Sequence, residues 1–150
     1  MKNIFTISFL FFAFSAHAQL ENPIQWAFTA QKIGDKQFEI HLTAMLQNKW
    51  HVYAQDAGEG PAPTVIAFMP NPLVQLDGSI KEAGKLESVF DKNFNSTLRF
   101  YSNKVDFVQK VKIKSSASTV LKGTISYMVC NDRKCLPPKE IPFSVKITSK

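Results

Sequence analysis

Four long stretches of this chain alternate apolar and polar residues with a period of two. Phe38, Ile40, Leu42, Ala44 and Leu46 alternate with Glu39, His41 and Thr43. Val105, Phe107, Val111 and Ile113 alternate with Asp106, Lys110, Lys112 and Lys114. Leu121, Ile125, Tyr127 and Val129 alternate with Lys122, Thr124, Ser126 and Met128. Ile141, Phe143, Val145 and Ile147 alternate with Pro142, Ser144 and Lys146. Successive side chains of a strand point to opposite faces, so each stretch predicts a strand with one buried and one wet face. Shorter candidates lie at 26–29, 50–53, 65–68 and 97–101. Turn formers separate them: Gly34-Asp35, Pro70-Asn71-Pro72, Asp77-Gly78, Ser102-Asn103 and the serine-rich 115–118. No segment carries a sustained helical stripe. The pattern predicts an all-β fold, an immunoglobulin-like antiparallel β-sandwich. Residues 58–72 are the one long irregular stretch, either a surface loop or the place where the chain changes sheets.

The first residues belong to a different kind of segment. Lys2 precedes an apolar run over 4–14, and Ala16-His17-Ala18 is a small-x-small cleavage site. This predicts a secretory signal peptide over 1–18 and a single domain over 19–150, with no membrane span after cleavage. The expected destination is the periplasm of a Gram-negative bacterium, an oxidising compartment in which disulfides persist. A hydrophobic content of 45% supports a core that does not depend on disulfides. The formal net charge is +6, but the lysines are scattered among apolar residues without interleaved aromatics. That distribution fits the wet face of a sheet and argues against nucleic acid as a partner.

The chemistry is concentrated in "CNDRKCLPP", which holds both cysteines, Cys130 and Cys135. By strand phase, Cys130 points away from the face of Tyr127 and Val129. Asn131-Asp132 favour a turn, and Pro137-Pro138 cannot donate to a ladder, so the pair sits where a hairpin turns back. Three readings compete. A structural disulfide closing so short a loop stabilises by only about 2 kcal/mol. A metal site recruiting His41 or His51 would need closer cysteine spacing or a second ligand pair, so no metal is expected. A redox dithiol is favoured by Arg133 and Lys134, whose charges support a thiolate, and opposed by Asp132.

"ISYMVCNDRKCLPPKEIPFSV" resembles the segment that carries the active-site cysteines in the N-terminal periplasmic domain of DsbD, the thiol:disulfide interchange protein. "NKWHVYAQD" is similar to that family's aromatic strand, with Tyr53 at a tyrosine position and His51 at another. "FDKNFNSTLRFYSNKVDFVQKVKI" is similar to its cap-loop region and the following strand. The resemblance covers nearly all of the chain beyond the signal peptide. It implies an immunoglobulin-like sandwich without a cofactor, acting as a thiol–disulfide oxidoreductase of the protein-disulfide reductase type. Cys130 and Cys135 would relay electrons between thioredoxin-like periplasmic proteins, with disulfide isomerases or cytochrome c maturation proteins as acceptors. Cys135 would bond to partners and Cys130 would resolve the mixed disulfide. Phe94 would take the cap position, with Phe90 as runner-up. Tyr53, His51, Asp132, Arg133, Lys134 and Pro137 would surround the site.

The chain departs from the family pattern in three ways. Four residues separate the cysteines instead of five, and Lys92-Asn93 stand where an acidic pair precedes the cap aromatic, leaving Asp91 as the nearest carboxylate. The family's full-length proteins continue into a membrane transporter and a thioredoxin-like domain, so a separately encoded membrane electron donor is expected here. The competing reading is a non-catalytic secreted sandwich that binds a partner and keeps the disulfide as a staple.

Overall fold

A computed structural model describes residues 21–148, and the expected signal peptide, residues 1–18, lies outside the described residues. The described residues form the strands β1 (Ile24–Gly34), β2 (Gln37–Leu46), β3 (His51–Tyr53), β4 (Val65–Phe68), β5 (Val74–Asp91), β6 (Ser96–Ile113), β7 (Thr119–Tyr127), β8 (Val129–Cys130) and β9 (Lys139–Ile147). All pair antiparallel, in two sheets. The larger runs β1-β2-β6-β3-β8, with β5 along the other edge of β6; the smaller runs β4-β7-β9.

The alternating stretches supply the core between the sheets. Phe38, Ile40, Leu42 and Ala44 of β2 and Val105, Phe107, Val111 and Ile113 of β6 face Leu121, Ile125 and Tyr127 of β7 and Phe143, Val145 and Ile147 of β9. Strand β1 packs rings across the gap. The Trp26 ring centre lies 5.4 Å from that of Tyr127, and the Phe28 ring 5.7 Å from that of Phe143.

Two expected breaks turn out to be bulges. Strand β6 runs through Ser102-Asn103 for 18 residues, with Asn103 at φ 64°. Strand β5, also 18 residues, runs through Asp77-Gly78, where its register with β6 shifts. The alternation rule misses β5 because it is an edge strand, exposed along most of its length, so neither set of alternate residues has to be apolar. One buried polar side chain serves this edge. Gln109, on the core face of β6, donates from Nε2 to the carbonyls of Asp77 and Gly78, 3.2 and 3.1 Å away.

The irregular stretch contains β4, and the chain passes from the larger sheet to the smaller across residues 54–64. Buried Thr64 pins this crossing, its hydroxyl donating to the Tyr53 carbonyl at 2.6 Å and its amide to the Ala54 carbonyl at 3.2 Å.

Within the smaller sheet, the neighbouring strands close tightly on Gly123 of β7. A Cβ there would collide with the Ala67 carbonyl of β4 and the Phe143 ring of β9. Overpacking of this kind costs about 1–3 kcal/mol. Gly123→Ala is therefore expected to lower the urea midpoint without changing the slope of the transition, whereas an unchanged midpoint would mean that β4 can move away freely.

Candidate functional site

Strands β7 and β9 stay paired as far as Tyr127 opposite Lys139. Beyond that pair the chain leaves the smaller sheet, and residues 129–130 add to the larger sheet beside β3. Pro137 and Pro138 mark the way back: lacking N–H groups, they cannot extend the β7–β9 ladder. Within this excursion Cys130 and Cys135 face each other as a bridge pair and are joined by a disulfide. Asn131 shapes the turn between them. Its amide donates to the Lys134 carbonyl at 2.9 Å, and its side-chain oxygen accepts from the amides of Arg133 and Lys134, each at 2.9 Å. The Leu136 amide donates to the Val129 carbonyl at 2.9 Å and closes the hairpin.

Pleat alternation sorts the side chains. Val129 joins the main core, and Cys130 points to the opposite face of the larger sheet, as the strand phase predicts. That face is not open water. Cys130 is only 2% exposed, packed in a second apolar cluster with Tyr53, Ala57 and Leu98, bordered by Phe100 and Met128. Cys135 is exposed. The two cysteines of one bond therefore differ sharply in exposure.

The cross-strand registers extend this face. His51 pairs directly with Cys130 and with Ser102, and Tyr53 pairs with Phe100. On β5, Glu87 pairs with Phe100 and Val89 with Leu98, so both share the cysteine face; Val89 is 53% exposed. The His51 ring lies 4.3 Å from the Phe100 ring, and its Nε2 is 3.4 Å from the Tyr53 hydroxyl. Burial pushes the His51 pKa below its ordinary value, against the opposing pull of Asp132 and Glu87. Burial, aided by Asp91, raises that of Tyr53.

The remaining expected residues separate. Phe94 sits in the β5–β6 turn, where the Asp91 carboxylate accepts from the Asn93 and Phe94 amides at 2.7 and 3.3 Å. Its ring is 49% exposed and lies against Gly60, whose missing Cβ leaves the space. Phe90 pairs with Thr97, which places it on the face of β5 opposite Val89 and hence away from the cysteines. Lys134 forms an exposed ion pair with Glu21. Asp132 and Arg133 line a groove of about 290 Å³ with Trp50 and Lys49. Pro137 lines an apolar groove of about 400 Å³ with Leu136, Val129 and Ile24. His41 is engaged elsewhere, 2.6 Å from the Asp106 carboxylate.

The sequence reading passes over Leu98, Phe100, Ala57, Val89 and Glu87. Leu98 and Phe100 carry a signal, since they alternate with Tyr101 in the opposite phase. Val89 and Glu87 carry none, because β5 shows no alternation.

The thiol:disulfide interchange protein DsbD N-terminal family model matches residues 17–146. A comparison with curated proteins finds no match. Among solved structures, the N-terminal periplasmic domain of ScsB from Proteus mirabilis is similar at 18% identity and a TM-score of 0.59, covering 86% of this chain and 47% of that one. The chain thus spans about half the length of that structure. The reduced DsbD N-terminal domain of Neisseria meningitidis is similar at 14% identity and a TM-score of 0.51, covering 82% of this chain and 86% of its own. A complex of the DsbD and PilB N-terminal domains from Neisseria meningitidis gives 15% identity and a TM-score of 0.53, covering 86% and 88%. The fold shared with these domains is the immunoglobulin-like β-sandwich.

The difference in access has a direct consequence. After reduction, a limiting amount of iodoacetamide is expected to modify Cys135 well before Cys130, read by peptide mass. Equal labelling would show that the Tyr53–Leu98 cluster opens on the timescale of alkylation.

Proposed function

Because the chain belongs to the N-terminal domain family of the thiol:disulfide interchange protein DsbD, we propose that it is a periplasmic electron relay working through the Cys130–Cys135 pair. The observation that carries this reading is the asymmetry of the disulfide, with one cysteine exposed on a turn and the other buried behind it. An incoming thiolate has access to Cys135 only. Its attack on the Cys135 sulfur forms a mixed disulfide, breaks the Cys130–Cys135 bond and expels Cys130 as a thiolate. The donor's second thiolate then attacks the donor sulfur of that mixed disulfide, leaving the donor oxidised and both cysteines reduced. Delivery to an acceptor runs the same steps in reverse.

Residues 1–18 are proposed to direct export, with 19–150 as the working domain. Family members are periplasmic, and among the described residues no helix is long and apolar enough to cross a membrane. The proposed partners are thioredoxin-like: a separately encoded membrane donor, and disulfide isomerases or cytochrome c maturation proteins as acceptors. The Neisseria complex of a DsbD N-terminal domain with a PilB domain supports a protein partner of this kind. Phe94 is proposed as a cap. Its turn leads directly into the strand that carries Leu98 and Phe100 to the cysteine face.

Two measurements test the relay and its cap. Cys130→Ser should accumulate a stable covalent complex, through Cys135, with a thioredoxin-like protein lacking its own resolving cysteine, and Cys135→Ser should trap far less. No complex from either variant, together with a bond that stays closed below about −300 mV, would leave a structural staple. Phe94→Ala is expected to speed reduction by a small thiol with little change in Tm, and Phe90→Ala to leave the rate alone. Equal rates in all three proteins would remove the cap.

A further inference from the structure

The relay needs one proton movement for which the cysteines themselves make no provision. When the reduced chain has attacked an acceptor through Cys135, the buried Cys130 thiol must lose its proton before it can resolve the mixed disulfide. A thiol among Tyr53, Ala57 and Leu98 is away from water, and burial in apolar surroundings disfavours the thiolate. Lys134 is engaged with Glu21, and Asp132 carries the wrong charge to support a thiolate.

Resting on the relay reading, we infer that His51 is the base that takes the proton from Cys130. His51 is the direct cross-strand partner of Cys130 on the same face of the sheet. Side chains in such a position stand with Cβ atoms about 4.5–5.5 Å apart. The ring is fixed rather than free: Phe100 covers it at 4.3 Å, and the Tyr53 ring meets it edge-on at 5.3 Å. Tyr53 lies on its own strand, Glu87 on β5, Cys130 on β8 and Asp132 on the hairpin turn; β6 contributes Phe100 and Ser102, which do not titrate. Burial keeps the imidazole below its ordinary pKa, so it is neutral and able to accept at neutral pH, and it loses that capacity only as the pH falls through its lowered value.

The step balances. Cys130 gives its proton to the imidazole as its sulfur attacks the Cys135 sulfur. The Cys130–Cys135 bond forms, the bond from Cys135 to the acceptor breaks, and the acceptor leaves as a thiolate carrying the electron pair. The imidazolium then returns its proton to that thiolate or to water.

Dithiobis(2-nitrobenzoate) separates the events. Attack by Cys135 on the reagent releases one nitrothiobenzoate, and resolution by Cys130 releases the second. In the wild type the second release is expected to stay nearly level between pH about 8 and about 6.5. In His51→Phe, which keeps a ring against Phe100, it should fall about tenfold per unit towards acid, as an unassisted thiol does. The variant should be at least about tenfold slower at pH about 6.5 and converge with wild type near pH about 9. His51→Tyr, a second ring without an imidazole, should give the same slope, which guards against a folding defect in either variant. Superimposable profiles for wild type and variants would overturn the role of His51 while leaving the relay intact. A second release that never comes, in any of the proteins at any pH, would overturn the relay and this role with it.

Discussion

The hydrogen bonding of β6 is the constraint on which the rest of the molecule depends. This one strand pairs with β5 along one edge for nearly its whole length, and with β2 and then β3 along the other. Its later half presents Val105, Phe107 and Val111 to the core, and its earlier half presents Leu98 and Phe100 to the opposite face. Between the halves, β6 advances four steps from Tyr101 to Val105 while β5 advances two from Leu86 to Gly84. The two extra residues preserve the alternation, whereas a single extra residue would turn every later side chain to the other face. The bulge at Asn103 therefore lets one strand serve a dry core and a chemical face without exchanging them.

The cysteine hairpin uses the same alternation at smaller scale. It leaves the smaller sheet after Tyr127 and joins the larger one beside β3, which places Val129 inward and Cys130 outward. Had the chain simply continued the β7–β9 ladder, Cys130 would stand beside Ser126 and Met128 on the wet face of the smaller sheet. The excursion instead delivers it to Tyr53 and Leu98 and leaves Cys135 in solvent. An exposed cysteine and a buried one are thus produced by a change of sheet and not by any feature of the cysteines themselves. The aromatic neighbours then set the electrostatics, since His51 and Tyr53 are both buried enough for their neutral forms to be favoured.

Much of this was legible in the chain. The core faces of β2, β6, β7 and β9 follow from period-two alternation, because a strand with one dry side has to repeat its apolar residues every second position. The turn at Asn131 and the stop at Pro137-Pro138 follow from residue chemistry, and the phase of Cys130 follows from Tyr127 and Val129. Edge strand β5 was not legible, since an exposed edge places little demand on either face. Nor were the bulges, because Asp77-Gly78 and Ser102-Asn103 have the composition of turns, and only pairing on both sides holds the chain extended through them. The neighbours of Cys130 come from β3, β6 and the loop after β3, and the pairing of Lys134 with Glu21 spans 113 residues. Local sequence determined which residues alternate and where the chain turns. Tertiary structure decided which faces meet, because strand pairing and sheet crossing depend on partners far away in the chain.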